Sequence, residues 1–134
     1  MREKYVDTLA KLYEYATTVY SKKQYTQWYD TKKGGYTYSS LKEKCDSLSK
    51  VLTQYGIGAG DKVAILSQSM PNWSVAFFSL APYGRIVIPI LPDSSTNEVT
   101  NIINHSETKA IFVSQKLSGK VSEEVKDKMV LIID

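Results

Sequence analysis

Residues 61–92, DKVAILSQSMPNWSVAFFSLAPYGRIVIPILP, constrain the fold more than any other stretch. A short apolar run at 63–66 meets a turn at 67–71. A helical segment, apolar on nearly every side, leads from there to Gly84 and a second apolar run at 86–91. Short apolar runs bounded by turn residues fit strands covered on both faces. Two such strands joined by a helix make a βαβ unit with a right-handed crossover. The helix, spanning 73–83, is expected to lie sandwiched between the sheet and other helices. Pro71 suits its first position, and Pro82 should distort or end its last turn. Trp73 and Phe77 are four residues apart and should share a face. Pro89, inside the second run, marks a strand end or a bulge.

Upstream, Tyr5, Leu9, Leu12, Tyr13, Ala16 and Tyr20 recur at helical spacing and predict one amphipathic helix over 5–20. Residues 25–29 and 36–38 flank a turn at 30–35 whose Gly34-Gly35 pair supplies positive φ, so a small hairpin is expected. Ser40-Leu-Lys-Glu43 matches a capping box. Leu41, Cys45, Leu48, Leu52 and Tyr55 line one face of the helix it would open, and Gly56 is its stop. Gly56-Ile-Gly-Ala-Gly60 looks like part of a dinucleotide fingerprint. A phosphate-binding loop follows a strand and opens a helix, and this one does the reverse, so it reads as a connection.

Downstream, Ser95-Thr-Asn-Glu98 is another capping box, with Val99, Ile102 and Ile103 on one helical face. A strand is expected over 109–113, a short helix within the polar run 114–128, and a last strand over 130–133. The expected fold is α/β: a parallel sheet flanked by helices, with a small N-terminal β-hairpin, in a single domain over 1–134. The alternation stops on a strand, which leads us to expect a truncated chain, the N-terminal piece of a larger domain.

Composition narrows the function. Hydrophobic residues at 43% and charged residues at 23% are ordinary for a globular chain. A net charge of +3 with scattered lysines gives no nucleic-acid footprint. One cysteine excludes an internal disulfide and suits a reducing compartment. No run is long enough for a transmembrane helix. A cytoplasmic chain is expected, with peripheral membrane contact allowed.

Chemistry-bearing residues are few. The only histidine, His105, falls at a helix end where imidazole suits the dipole, and Cys45 lies on an apolar helix face. No zinc, calcium or nucleotide-loop spacing is present. The better candidates are the loops 67–72 and 92–97, which leave the carboxyl ends of parallel strands, where open α/β sheets bind ligands. Ser69 and Ser95 in those loops also suit simple helix capping. Arg85, just before a buried strand, is expected to pair with a carboxylate.

Tyr36-Thr-Tyr-Ser-Ser-Leu41, Gly56-Ile-Gly-Ala-Gly-Asp-Lys-Val-Ala-Ile65, Asn72-Trp73 and Gly84-Arg-Ile-Val-Ile-Pro-Ile-Leu-Pro92 occur in that order. The series resembles the N-terminal part of the adenylate-forming acyl-CoA synthetase and AMP-binding superfamily. Residues 92–98 and 102–110 look most like its long-chain fatty acid branch. Arg85 stands where that family usually has a small residue, and Ser39 or Ser40 where an acidic residue is common. The resemblance implies an enzyme that uses ATP and Mg2+ to turn a fatty acid into an acyl-adenylate, then passes the acyl group to coenzyme A. The family's Ser/Thr/Gly loop with its lysine, its ribose-binding acidic group and its second lysine are absent. No catalytic, cofactor-binding or metal residue is therefore carried over onto this chain. It is expected to be scaffold, silent alone, and to self-associate through surfaces that further segments would otherwise cover. An amino-acid or aryl-acid adenylating enzyme is the alternative within the superfamily, and a small doubly wound binding module without catalysis is the alternative outside it.

Overall fold

The structure is a computed structural model and describes residues 6–29 and 34–134. Tyr5 and residues 30–33 of the expected turn lie outside them. The chain runs α1 (Leu9–Val19), β1 (Gln24–Thr26), β2 (Tyr36–Thr37), α2 (Tyr38–Gln54), β3 (Lys62–Leu66), α3 (Pro71–Phe78), β4 (Ile86–Ile90), α4 (Thr96–Ser106), β5 (Ala110–Val113) and β6 (Met129–Ile132). β1 and β2 form the expected antiparallel pair. Gly35 closes it with φ +76°, and a Cβ there would fall 1.9 Å from Thr26 O, so only glycine fits. The other four strands form one parallel sheet, ordered β4-β3-β5-β6.

Alternation along the strands splits the core in two. Ala64, Leu66, Ile90, Ile111 and Val113 face α4 and the segment after β5. Val63, Ile65, Ala110 and Phe112 face α2 and α3. α3 is sandwiched, as its all-round apolar sequence requires: Ala76 and Phe77 pack toward the sheet, while Val75 and Phe78 meet Tyr13, Leu41 and Cys45 of α1 and α2. Trp73 and Phe77 do share a face, stacked at 5.4 Å. Side chains such as Ile65 and Leu66, fully buried here, each contribute about 1.5–3 kcal/mol of transfer free energy.

Several boundaries differ from expectation, each for a local reason. α1 turns its Tyr13–Thr17 edge inward and leaves Leu9 and Leu12 exposed. α2 begins three residues early. Thr37 is its N-cap, and Ser40, expected to be the cap, is instead the N3 partner. The hydroxyl of Ser40 takes the place of the expected Glu43 carboxylate, accepting from Thr37 N at 3.0 Å. Tyr55, expected on the buried face, is exposed at the C-cap, and Gly56 follows with φ +78°. α3 stops at Phe78, because a proline at position 82 lacks an N–H and its ring would clash with the Phe78 carbonyl of a continuing helix; a 3₁₀ turn at Ala81–Tyr83 completes the segment. β4 is an edge strand, half exposed, rather than covered on both faces. Pro89 therefore sits in regular register opposite Ile65, marking an edge instead of a bulge. The polar run after β5 forms two 3₁₀ turns, Gln115–Lys120 and Glu123–Val125, in place of a short α-helix. Among the described residues, no helix is long and apolar enough to cross a membrane.

Candidate functional site

β3 connects to β4 on one side of the sheet, and β4 returns across β3 to β5 on the other. The carboxyl ends of β3 and β5 therefore flank a topological switch point. The crevice there is bridged by side chains just past the strand ends: the buried Ser114 hydroxyl donates to Gln68 Oε1 at 2.6 Å. The open space lies one strand over, past the ends of β3 and β4. It is a cleft of about 980 Å³ walled by Trp28 and Tyr29 after β1, Ser69, Met70 and Trp73 at the start of α3, and Leu91 and Pro92 after β4. No Asp, Glu, His, Lys or Arg lines it among the described residues. Such a wall suits an apolar chain and, among the described residues, offers a phosphate hydroxyls and an amide but no cationic side chain.

The two loops singled out from the sequence part company here. The loop 67–72 supplies the cleft wall through Ser67, Ser69, Met70 and Pro71. Ser69 does not cap α3; its N-cap, Met70, makes no side-chain capping bond. Of the loop 92–97, only Pro92 reaches the cleft. The rest forms the N-terminus of α4, where Ser95 and Glu98 satisfy each other's backbone amides at 3.2 and 2.7 Å. With those amides taken and a carboxylate beside them, the helix end is no phosphate cradle. Lys120 fixes this loop by donating to Pro92 O at 2.6 Å and Ser94 O at 2.8 Å. Nothing in the polar run around Lys120 marked it for that role. The 56–60 loop is a connection, as read: Gly58 N donates to Asp61 and Gly60 N donates to Gly84 O.

Asn72 braces the site from below. Its amide donates to Ile133 O beyond β6, and its carbonyl accepts from the Tyr36 hydroxyl of β2. The start of α3 is thereby tied to both the hairpin and the far strand.

Arg85 corrects an expectation. No carboxylate stands within ion-pair distance of it among the described residues. It is 6% exposed, and its fork donates to Ile57 O, to Ser49 Oγ and O, to Ser79 O and to Thr53 Oγ1 at 2.7–3.2 Å. Burial draws its pKa down, with Asp61 opposing, and the guanidinium stays charged. Asp61 itself pairs with Lys109 at 2.7 Å. That contact, with the Gly58 amide, holds its carboxyl below the usual range. Cys45 is fully buried, and desolvation pushes its thiol up to about 12. His105 is exposed in the last turn of α4. No group of three His, Cys, Asp or Glu that could hold a metal gathers among the described residues.

The sequence profile of the AMP-binding enzymes matches residues 14–134. The chain belongs to the AMP-binding enzyme family. Two curated members of this adenylate-forming family show the range. The chain is 28% identical over 102 residues to 4-hydroxybutyrate–CoA ligase 2 of Metallosphaera sedula, covering 74% of this chain and 19% of that protein. It is 29% identical over 95 residues to long chain acyl-CoA synthetase 2 of Arabidopsis thaliana, covering 69% and 14%. This AMP-binding chain therefore spans less than a fifth of the length of those relatives. A solved mutant form of coronafacic acid ligase from Pectobacterium brasiliense superposes with a TM-score of 0.85 at 17% identity, over 96% of this chain and 26% of that one. The likeness in fold extends to the parallel sheet and its small antiparallel companion.

Proposed function

We propose that this chain is the N-terminal part of an ATP-dependent long-chain fatty acid–CoA ligase. In the first half-reaction a carboxylate oxygen attacks the α-phosphorus of ATP, and pyrophosphate leaves from an acyl-adenylate. In the second, the sulfur of coenzyme A takes the acyl carbon, AMP leaves, and the thiol proton goes to solvent or a base. The observation that carries this reading is the family match over residues 14–134. Support for the fatty acid comes from the likeness to the Arabidopsis synthetase and from the uncharged, aromatic wall of the cleft. Residues 1–134 act as a single α/β scaffold domain. ATP, Mg2+ and coenzyme A are held by residues outside this chain, and alone it has no turnover.

The test is to express the whole reading frame that carries this chain. It is assayed with ATP, Mg2+ and coenzyme A against palmitate, short acids, aryl acids and amino acids, with acyl-CoA read by mass spectrometry. Acyl-CoA from palmitate in preference to the others is expected. Preference for an amino acid or aryl acid overturns the fatty acid assignment. Absence of pyrophosphate release with every acid overturns the ligase.

A further inference from the structure

The cleft has a hairpin wall and a helix wall, and one pair of side chains ties the two together. Tyr36 lies opposite Thr26 in the β1–β2 ladder, and Thr26 opens the hairpin wall that runs on to Tyr29. Asn72 sits between Pro71 and Trp73, which belong to the helix wall. The Tyr36 hydroxyl donates to Asn72 Oδ1. The orientation of the Asn72 amide is forced: Ile133 O can only accept, so it takes the Nδ2 donor and leaves Oδ1 for Tyr36. Burial, with Cys45 adding to it, raises the Tyr36 pKa, so the hydroxyl keeps its proton and stays a donor at neutral pH. Neither Tyr36 nor Asn72 lines the cleft itself.

We propose that Tyr36 and Asn72 are positioning residues, whose hydrogen bond sets the spacing of the hairpin and α3 and through it the grip of the cleft on the hydrocarbon tail of the fatty acid. The inference rests on the fatty acid reading above. An uncharged, aromatic-lined space of about 980 Å³ fits such a tail. Apolar contacts also hold the hairpin to α3, among them Tyr25 edge-on to Phe78 at 6.1 Å. Burial of apolar surface is non-directional, whereas a hydroxyl-to-carbonyl bond selects one spacing. That spacing decides how closely Trp28 and Trp73 can hold a chain between them. The tie joins packed elements, with Tyr36 against Tyr13, Leu41 and Cys45, and draws on no free surface.

Tyr36→Phe keeps the ring and removes the bond. In the whole enzyme from the parent reading frame, it is expected to raise KM for palmitate ~10-fold, with kcat and KM for ATP at wild-type values. The split follows because contacts to the tail act alike on the bound acid and on the transition state. A merely structural loss would lower the amount of folded enzyme and leave KM unmoved. A second readout needs no turnover. Both tryptophans of the chain line the cleft, so acrylamide quenching of their fluorescence is expected to rise in the 134-residue Tyr36→Phe chain, with circular dichroism to verify folding. Should Tyr36→Phe fail to fold, Asn72→Leu, similar in shape and without the bond, takes its place in both measurements. An active variant whose KM for palmitate is unchanged overturns the proposal, as does a KM for ATP that rises in step. A wild-type enzyme that forms no acyl-CoA overturns the ligase reading instead; quenching unchanged from wild type would then overturn the tie as well.

Discussion

Replacing Arg85 separates two accounts of why a charge sits in this interior. Its five N–H donors serve carbonyls and hydroxyls from three segments: α2, the end of α3 and the 56–60 connection. In Arg85→Met, Ser49 O keeps its bond from the Thr53 hydroxyl at 3.0 Å. Ile57 O and Ser79 O lose the donors that the guanidinium supplies. An unsatisfied buried carbonyl costs ~1–3 kcal/mol, so two cost ~2–6. Removing a desolvated charge offsets part of this, which puts the expected loss near ~3 kcal/mol. Arg85→Lys keeps the charge but not the planar fork. One ammonium cannot reach acceptors spread around that plane, and its own desolvation goes uncompensated. The lysine variant is therefore expected to lose at least as much as the methionine variant. Against a total of ~5–15 kcal/mol for a domain, both should be plain in urea unfolding followed by circular dichroism. If Arg85→Lys lies within ~1 kcal/mol of wild type, the charge near Asp61 is what matters and the hydrogen-bonded fork is not.

Three further outcomes follow from the same packing. Cys45, with its thiol pushed up to about 12 by burial, should react with a disulfide reagent at pH ~8 only as fast as the chain unfolds; labelling at the rate of a free thiol would contradict this. Asp61 has a depressed folded pKa, so its contribution is present above the unfolded carboxylate range and lost as pH falls through the folded value; Asp61→Asn should flatten the fall of the urea midpoint below pH ~4, and an unchanged acid limb would contradict it. Trp73, stacked on Phe77 but partly exposed at the cleft, should cost ~2 kcal/mol on truncation to alanine, less than a fully buried aromatic; a loss below ~0.5 kcal/mol would remove it from the core.

What could be read from the sequence was whatever local pattern decides. The runs 63–66 and 86–91 became strands, and Ser95 with Glu98 capped the helix it announced. Where two local solutions compete, tertiary context chose. Thr37 and Ser40 both precede a helical pattern, and the chain leaving β2 takes the earlier cap. Pro89 signalled an irregularity, but only strand order tells an edge from a bulge. α1 carries apolar residues around much of its surface, so spacing alone did not say that Tyr13 and Thr17 face inward. The cleft was half legible. The carboxyl-end rule found residues 67–72, while Trp28 and Tyr29 arrive through the hairpin, a contact between segments some forty residues apart in sequence with no local signature. Lys120 and the partners of Arg85 were invisible for the same reason, since most of their acceptors are backbone carbonyls, which every residue has.

We propose that this segment of an AMP-binding enzyme is scaffold, its cleft lined, among the described residues, by no charged side chain. Pyrophosphate release by the purified 134-residue chain, supplied with ATP, Mg2+, coenzyme A and a long-chain fatty acid, tests it most directly. The account predicts a rate equal to the no-protein control. Release above that control, lost again when the fatty acid is omitted, would contradict it.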